Sequence, residues 1–574
     1  MANSDRQPDA MNQSKVIDVI CILILVAYFL YFAFPAIRAG FGEDDISALY
    51  TYWYSGTLGK TLWENICFWR GIGRPAGGLY YLPLSHFFWV NPRPYRIVQI
   101  SILAAAIPIV YHLGRLLASS RAVAFLAILA FCYHPKLADL VVSGSYIYDV
   151  LCGFFYFAAL TYYVHIREKG LRLRPMQCVG FLALYVCALN SKEMAVSLPV
   201  IVLIYELLKY YHGPERQKLF RWILYDATPA LLAGAITAIY CYKKIYGLGF
   251  AGNPSPEFVE GLDPARLPPW VATMLELYAP HYSWHRFIET NARFVNELFY
   301  LAPNHVLTGG TLLAIWTLIF AYAFLRRDRM VQLMAFWVVI TPLPLVFITP
   351  RGGARLYIVL FGWAMIFAKF AWDVIILLSK PLALLARGAD SDAVAKRSIA
   401  DGASIDHGRS ETQGAAAVLT HKTFPLTFRV VAMVLLVCGL AAFTEWENQR
   451  FGRNGAFLNS GQKTLHVIQA FRSLTLHPPP GSTILVRPEK YFLENGYYPG
   501  FFASLVPNDP LRELIAKRSP EYWRCVASIA LGDRSLQIQV EDQHQLTEEQ
   551  LAKFQYVISL DEFQAKLIRG PSTG

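Results

Sequence analysis

Charge is what this chain has least of. Of its 574 residues only 16% are Asp, Glu, Lys or Arg, while 55% belong to the set Ala, Val, Ile, Leu, Met, Phe, Trp, Tyr and Cys. Soluble domains carry about 25% charged residues, and the mean hydropathy here is +0.34. So sparse a charge excludes a disordered tail, a collagen-like chain and a row of soluble domains. There is no Cys-x-x-Cys pair to nucleate a zinc cage. Of the nine cysteines, Cys21, Cys132, Cys152, Cys178, Cys187, Cys241 and Cys438 fall inside apolar segments and read as small core hydrophobes. Cys67 and Cys525 fall in aqueous segments, and spacing alone does not pair them. No repeat of fixed period is present. The first apolar run lacks a small-residue cleavage site and is too long for a removed signal peptide, so it reads as a retained anchor.

What the chain has is long apolar runs. A helix needs about 20 residues to cross the hydrocarbon core, and about eleven such runs are expected, near 16–38, 96–118, 121–134, 146–165, 176–190, 194–210, 222–245, 305–325, 331–349, 356–379 and 426–444. The expected class is an α-helical polytopic membrane protein with a small extracytoplasmic α/β C-terminal domain. The net charge of +11 does not make it a nucleic-acid binder, because the cations gather in short connections between apolar runs, as topology signals do. With the N-terminus inside, the short inner loops hold thirteen Lys and Arg residues, Arg115, Arg167 and Arg329 among them. The short outer loops hold four: Lys136, Lys192, Arg351 and Arg355. The positive-inside rule favours this orientation.

The expected organisation is a transmembrane core over 1–380 with outer loops at 40–95 and 246–304. A flexible Ala/Ser/Asp/Gly-rich inner linker follows over 381–425, then a last span at 426–444 and an outer tail over 445–574. The tail carries short β-type runs at 483–486, 536–540 and 556–560, with helical stretches near 508–518 and 547–554.

The chemistry concentrates at outer helix ends. Phe41-Gly42-Glu43-Asp44-Asp45 sets three consecutive acids just past the anchor. Adjacent positions do not share a helix face, so one carboxylate faces a cleft while a neighbour caps the helix that starts at Ile46. The plain alternative is that all three only cap and solvate. Trp53, Trp63, Trp69, Arg70, Arg74-Pro75 and Tyr80-Tyr81 follow, as an interfacial belt or as stacking surfaces for sugar rings. Asn190-Ser191-Lys192-Glu193 ends one span, and Tyr205-Glu206 lies inside the next, where ionisable groups pair or serve a polar cavity. Arg351 and Arg355 stand at the mouth of another span, shaped for bidentate contact with a phosphate or for simple snorkelling.

Taken together, these motifs resemble the polytopic GT-C glycosyltransferases, particularly the tetratricopeptide-bearing transmembrane O-mannosyltransferases and their protein O-mannosyltransferase/aminoarabinose transferase-like bacterial relatives. The resemblance spans roughly residues 16–380. It rests on Asp44-Asp45, Arg74-Pro75, Tyr95-Arg96-Ile97-Val98-Gln99, His134-Pro135, Ser143-Gly144-Ser145-Tyr146-Ile147-Tyr148-Asp149, Ser191-Lys192-Glu193 through Pro199 to Tyr205-Glu206-Leu207-Leu208, and Ala354-Arg355-Leu356-Tyr357. The tetratricopeptide tail is missing, Tyr146 or Ile147 stands where the family has Arg, and Ala354 stands where it has Glu, so the donor sugar is left open. The resemblance implies a sugar donor carried on a polyprenyl or dolichyl phosphate, and an inverting transfer to an acceptor hydroxyl on the outer face. Asp44 is then the general base and Asp45 caps or serves as second acid. Arg355, Arg351 and Lys192 hold the donor phosphate, while Glu43, Arg74, Asp139, Asp149 and Glu193 are further candidates for sugar, acceptor or second-acid roles. A divalent cation is left open. Besides the donor, the expected partners are membrane lipids and an acceptor of unassigned class, with no nucleic acid. The expected location is a bacterial inner membrane with the site facing the periplasm. The rival readings are a transporter, a lipid-linked glycan flippase, or a ligase of the cell envelope.

Overall fold

The computed structural model describes residues 6–68, 74–213, 218–242, 284–299, 309–345, 353–400, 410–453, 456–488, 519–540, 547–561 and 564–570. Helix α1 (Arg6–Ala33) runs into a 3-10 turn at Phe34–Arg38, where Pro35 removes the backbone donor that would have continued it. Three helices of the first loop follow: α2 (Glu43–Ser55), α3 (Leu58–Ile66) and α4 (Pro75–Phe88). Then come α5 (Pro92–Ala118), α6 (Arg121–Cys132), the short α7 (Asp139–Val142), α8 (Ile147–Glu168), α9 (Pro175–Ser191), α10 (Leu198–His212), α11 (Leu219–Tyr225) and α12 (Thr228–Tyr242). Several start at proline, which fits the first helical turn because its missing N–H has no partner there anyway: Pro75, Pro92 and Pro175. Beyond residue 283 lie α13 (Trp284–Leu298), α14 (Gly309–Leu325), α15 (Arg329–Ile340), α16 (Tyr357–Ala400), α17 (Ser410–Arg453) and α18 (Ala456–Ser473). The second outer loop therefore enters the description only through α13, which reaches His134, whose Nε2 lies 3.2 Å from the Leu298 carbonyl.

Six helical segments among the described residues are long and apolar enough to cross a membrane: Ser14–Arg38, Pro92–Ala118, Gly144–Glu168, Glu193–His212, Gly353–Ser379 and Thr427–Arg450. Two bent pairs, Arg121–Cys132 with Pro135–Val142 (49°) and Leu219–Tyr225 with Thr228–Tyr242 (62°), bring the number to eight if each is one span. The expected eleven exceeds this. The apolar helices at Pro175–Ser191, Gly309–Leu325 and Arg329–Leu345 are each 10–17 residues long, short of the usual length for a crossing. The stretch read as a linker is helical on both sides of 401–409, α16 and α17 each running 44 residues. Ala386, Ala389, Ala393 and Ala395 within it are strong helix formers.

The C-terminal part forms a four-stranded mixed sheet in the order β2-β1-β3-β4. Strands β1 (Thr483–Pro488), β2 (Gln537–Val540) and β3 (Tyr556–Asp561) fall on the three β-type runs, β2 starting one residue later than expected, and pair parallel through β1, while β4 (Gln564–Arg569) closes the sheet antiparallel to β3. The crossover between β1 and β2 contains α19 (Ser519–Leu531), which packs on both α18 and α2. A further short helix, α20 (Glu548–Leu551), precedes β3, and the helical stretch expected near 508–518 lies outside the described residues. Cys67 and Cys525 are both buried, and neither is half of a disulfide.

Candidate functional site

The opening of α2 is built by its acids. Asp45 stands at the third helical position, and its Oδ2 accepts the backbone N–H of Gly42 at 3.1 Å, satisfying one of the donors that a helix start leaves unpaired. The same oxygen accepts from Arg96 Nη2 at 2.7 Å, and Oδ1 accepts from Ser143 Oγ at 3.1 Å and from the Ser145 backbone N–H. Neither Asp45 nor Arg96 is reached by solvent. Arg96 also donates to the Gly40 carbonyl at 2.6 Å, and Gln99, one turn on, donates to the carbonyls of Leu140 and Ser143. Gly144 fits this knot because it has no side chain: a Cβ there would stand 2.9 Å from Arg96 Nη1. Three separate stretches, Asp44-Asp45, Tyr95 to Gln99 and Ser143 to Ser145, are thus tied by one buried ion pair. Asp44, one residue earlier, is exposed. Glu43 is the first residue of α2, and its side chain lies outside the described residues.

A second polar group lies beside this knot. Arg74, at the N-terminus of α4, makes a forked contact with Glu193, closest at 3.0 Å, and its guanidinium stacks over Tyr148 at 5.1 Å from the ring centre. Tyr52 of α2 donates to the Arg74 carbonyl at 2.6 Å, and Asn190 donates to Asn65, which in turn donates to the Pro75 carbonyl. Lys192 follows α9 and is buried against Asp149, Nζ to Oδ1 2.5 Å. Burial pushes the Lys192 ammonium below the usual lysine range; Asp149 pulls it back up, and the positive fields of Arg74 and Arg355 add to the depression. Arg355 occupies the 3-10 turn Gly353–Leu356, half-buried, and makes no ion pair among the described residues. Asp139 opens α7 beside that turn, with Oδ2 2.9 Å from where a Gly353 Cβ would be. Arg351 lies outside the described residues, as do Trp69 and Arg70.

The two groups share one end of the bundle. Helix α7 touches both the turn Phe34–Arg38, which leads into α2, and the turn Gly353–Leu356, which carries Arg355. Arg74 and Lys192, paired with Glu193 and Asp149, thus lie within the electrostatic reach of Arg355, whose turn has Asp139 beside it, at the end where Asp44 is exposed. Among the described residues no three His, Cys, Asp or Glu side chains are placed to hold a metal ion together. Glu206 belongs elsewhere. It is buried at the far end of α10, where Arg167 forks onto it at 2.7 Å through both Nε and Nη2, and Arg167 and Arg172 also pair with Asp226.

Sequence reasoning assigned no role to Arg96 or Tyr52. The signal for Arg96 was present, since a charged residue inside an otherwise apolar run has to be paired. Tyr52 gave no signal, because its partner at Arg74 lies across the loop.

No family model matches this sequence, and no curated protein matches it. Among solved structures, the chain is similar to the archaeal oligosaccharyltransferase AglB from Archaeoglobus fulgidus in complex with an inhibitory peptide and a dolichol-phosphate, with a TM-score of 0.42 and 11% identity over 95% of this chain and 69% of that one. It is also similar to the Archaeoglobus fulgidus oligosaccharyltransferase in the apo form, with a TM-score of 0.42 and 12% identity over 90% of this chain and 72% of that one. A likeness this distant assigns no activity.

Proposed function

We propose that the protein is a membrane glycosyltransferase that takes a sugar from a polyprenyl or dolichyl phosphate and passes it to an acceptor hydroxyl with inversion. The observation that carries this reading is that Arg74 and Lys192, paired with Glu193 and Asp149, lie within the electrostatic reach of Arg355, which makes no ion pair among the described residues. Cations brought together in this way suit an anionic phosphate held at a helix end, and the sequence resemblance supports the same chemistry. In this reading Asp44 takes the acceptor's hydroxyl proton as that oxygen attacks the anomeric carbon. The bond from sugar to phosphate breaks, and the lipid phosphate leaves with the electron pair. Arg355 and Lys192 offset the charge that develops on it, the kind of preset electrostatic support that acts where charge appears. Positioned proton transfer of this kind contributes about 10²–10⁴-fold. Asp45, saturated by four hydrogen bonds, orients the helix that carries the base. Arg351, Glu43, Asp139, Asp149 and Glu193 complete the candidate surroundings.

The reading also takes the three shorter apolar helices as crossings, which makes eleven, and sets the site and the C-terminal sheet on the periplasmic face of a bacterial inner membrane. The test is transfer from a radiolabelled polyprenyl-phosphate sugar by purified protein. Asp44→Asn is expected to lose at least a hundredfold in turnover, and Arg355→Ala to weaken apparent donor affinity at an unchanged melting temperature. Wild-type turnover in Asp44→Asn removes the base. Movement of labelled lipid across vesicles with no glycosyl product establishes a flippase instead.

A further inference from the structure

A second site lies apart from the cationic group, where the first loop meets the C-terminal sheet. Here α2, α3 and α4 frame an open cleft of about 630 Å³ whose lining includes Trp53, His86, Phe87, Trp89 and Arg534. Arg534, in the turn between α19 and β2, sets its guanidinium 5.1 Å from the Trp53 ring centre. It is exposed and makes no ion pair among the described residues, while the neighbouring Asp533 carboxylate is occupied by the Ser535 N–H and hydroxyl. Arg534 is the only Asp, Glu, Lys or Arg among the described lining residues.

The aromatic wall is packed ring against ring. Trp53 and Trp89 meet edge to face at 5.0 Å, and Trp53 also leans on Tyr50. Trp89 has φ +46° and ψ −122°, a left-handed conformation that bulky residues avoid unless their surroundings hold them in it. What holds it is clear: its N–H donates to the Ser85 carbonyl at 3.1 Å, and its own carbonyl accepts from the hydroxyl of Tyr95 at 2.8 Å, a residue with no exposure. Strain of this kind collects where a side chain has to be aimed.

Ligand sites are concave, mostly apolar and aromatic, with a few polar groups that fix orientation. Indole rings present a negative face suited to the C–H surface of a sugar ring. A guanidinium stacked on an indole keeps its N–H edge for a carboxylate or phosphate. We infer that this cleft binds an anionic saccharide, its ring against the part-exposed indole of Trp89 and its acidic substituent on Arg534, which the buried Trp53 ring supports from behind. The inference rests on the cleft alone and stands whether or not the protein transfers sugar.

The test is direct binding to the full chain in nanodiscs, with tetragalacturonate, a phosphorylated mannotetraose and neutral maltotetraose as probes and tryptophan fluorescence as readout. At least one acidic probe is expected to bind tenfold or more tightly than maltotetraose. Arg534→Gln is expected to abolish that preference with an unchanged melting temperature. Trp89→Gly, which suits the left-handed backbone while removing the ring, is expected to weaken binding of the acidic probe by at least tenfold. Failure of both acidic probes to bind above the neutral one overturns the inference, as does an undiminished preference in Arg534→Gln. Loss of binding in Arg534→Gln with full transferase turnover would keep this site distinct from the reaction centre.

Discussion

Asp44 and Asp45 are chain neighbours in opposite environments, which is what a helix start does to adjacent acids. Asp45 is sealed against Arg96, and removing one partner of such a buried pair leaves an uncompensated charge, at a cost of about 3–5 kcal/mol. Asp45→Asn should therefore lower the melting temperature in detergent substantially, whereas Asp44→Asn, altering an exposed residue, should leave it within a degree or so of wild type. Differential scanning fluorimetry on the two purified variants separates them, and equal melting temperatures would contradict the arrangement. Gly144→Ala pushes a methyl group toward Arg96 Nη1, 2.9 Å away, and overpacking of this sort costs about 1–3 kcal/mol. Its thermal midpoint should fall between those of wild type and Asp45→Asn. That the two adjacent acids would meet different surroundings was readable from the period of a helix. That Arg96 was the partner was not, because the two residues stand 51 positions apart and only the folded loop brings them together.

Helices carry their instructions at their ends. Proline starts, Asn91 accepting from Arg93 and the side chain of Asp328 accepting from Met330 and Val331 are local, so most helix limits were legible from single residues. The crossings were less so. A run of apolar residues states that a helix is buried, not whether it reaches both surfaces, and α9, α14 and α15 are short in that respect. Tyr205-Glu206 shows a further limit. The sequence left it either to pair or to serve a polar cavity; Glu206 pairs with Arg167, while Tyr163 donates to it at 2.9 Å, joining α8 to α10 at the other end of the bundle. Glu206→Gln should cost about 3 kcal/mol, as the loss of one partner in a buried pair does. Thermal denaturation should show it, while donor affinity in the surviving folded fraction stays unchanged. Weakened donor binding at unaltered stability would relocate Glu206 to the site.

At the scale of the molecule, the three β-type runs were recognisable by alternation and β-branched content, but their order was not, since parallel pairing across long connections leaves no local trace. The sheet meets the first loop through α19 on α2, where Cys525 is buried beside Tyr50. Cys67 is buried as well, and neither is half of a disulfide. Both thiols should resist maleimide in the folded protein and react on denaturation, with identical labelling under reducing and non-reducing conditions. Mass spectrometry of labelled peptides decides this, and a labelling gain seen only after reduction would establish a disulfide. One last consequence concerns the two 44-residue helices α16 and α17. The apolar sequence of α16 runs on to Ala386, with Lys380 inside it, and the helix continues from Arg387 to Ala400. At 1.5 Å per residue those last turns extend about 20 Å, two thirds of the thickness of the hydrocarbon. An epitope inserted just beyond Ala400 would therefore stand well clear of the lipid surface. Antibody access to it in intact versus opened cells would report the sidedness of the whole chain from a position remote from every group discussed above.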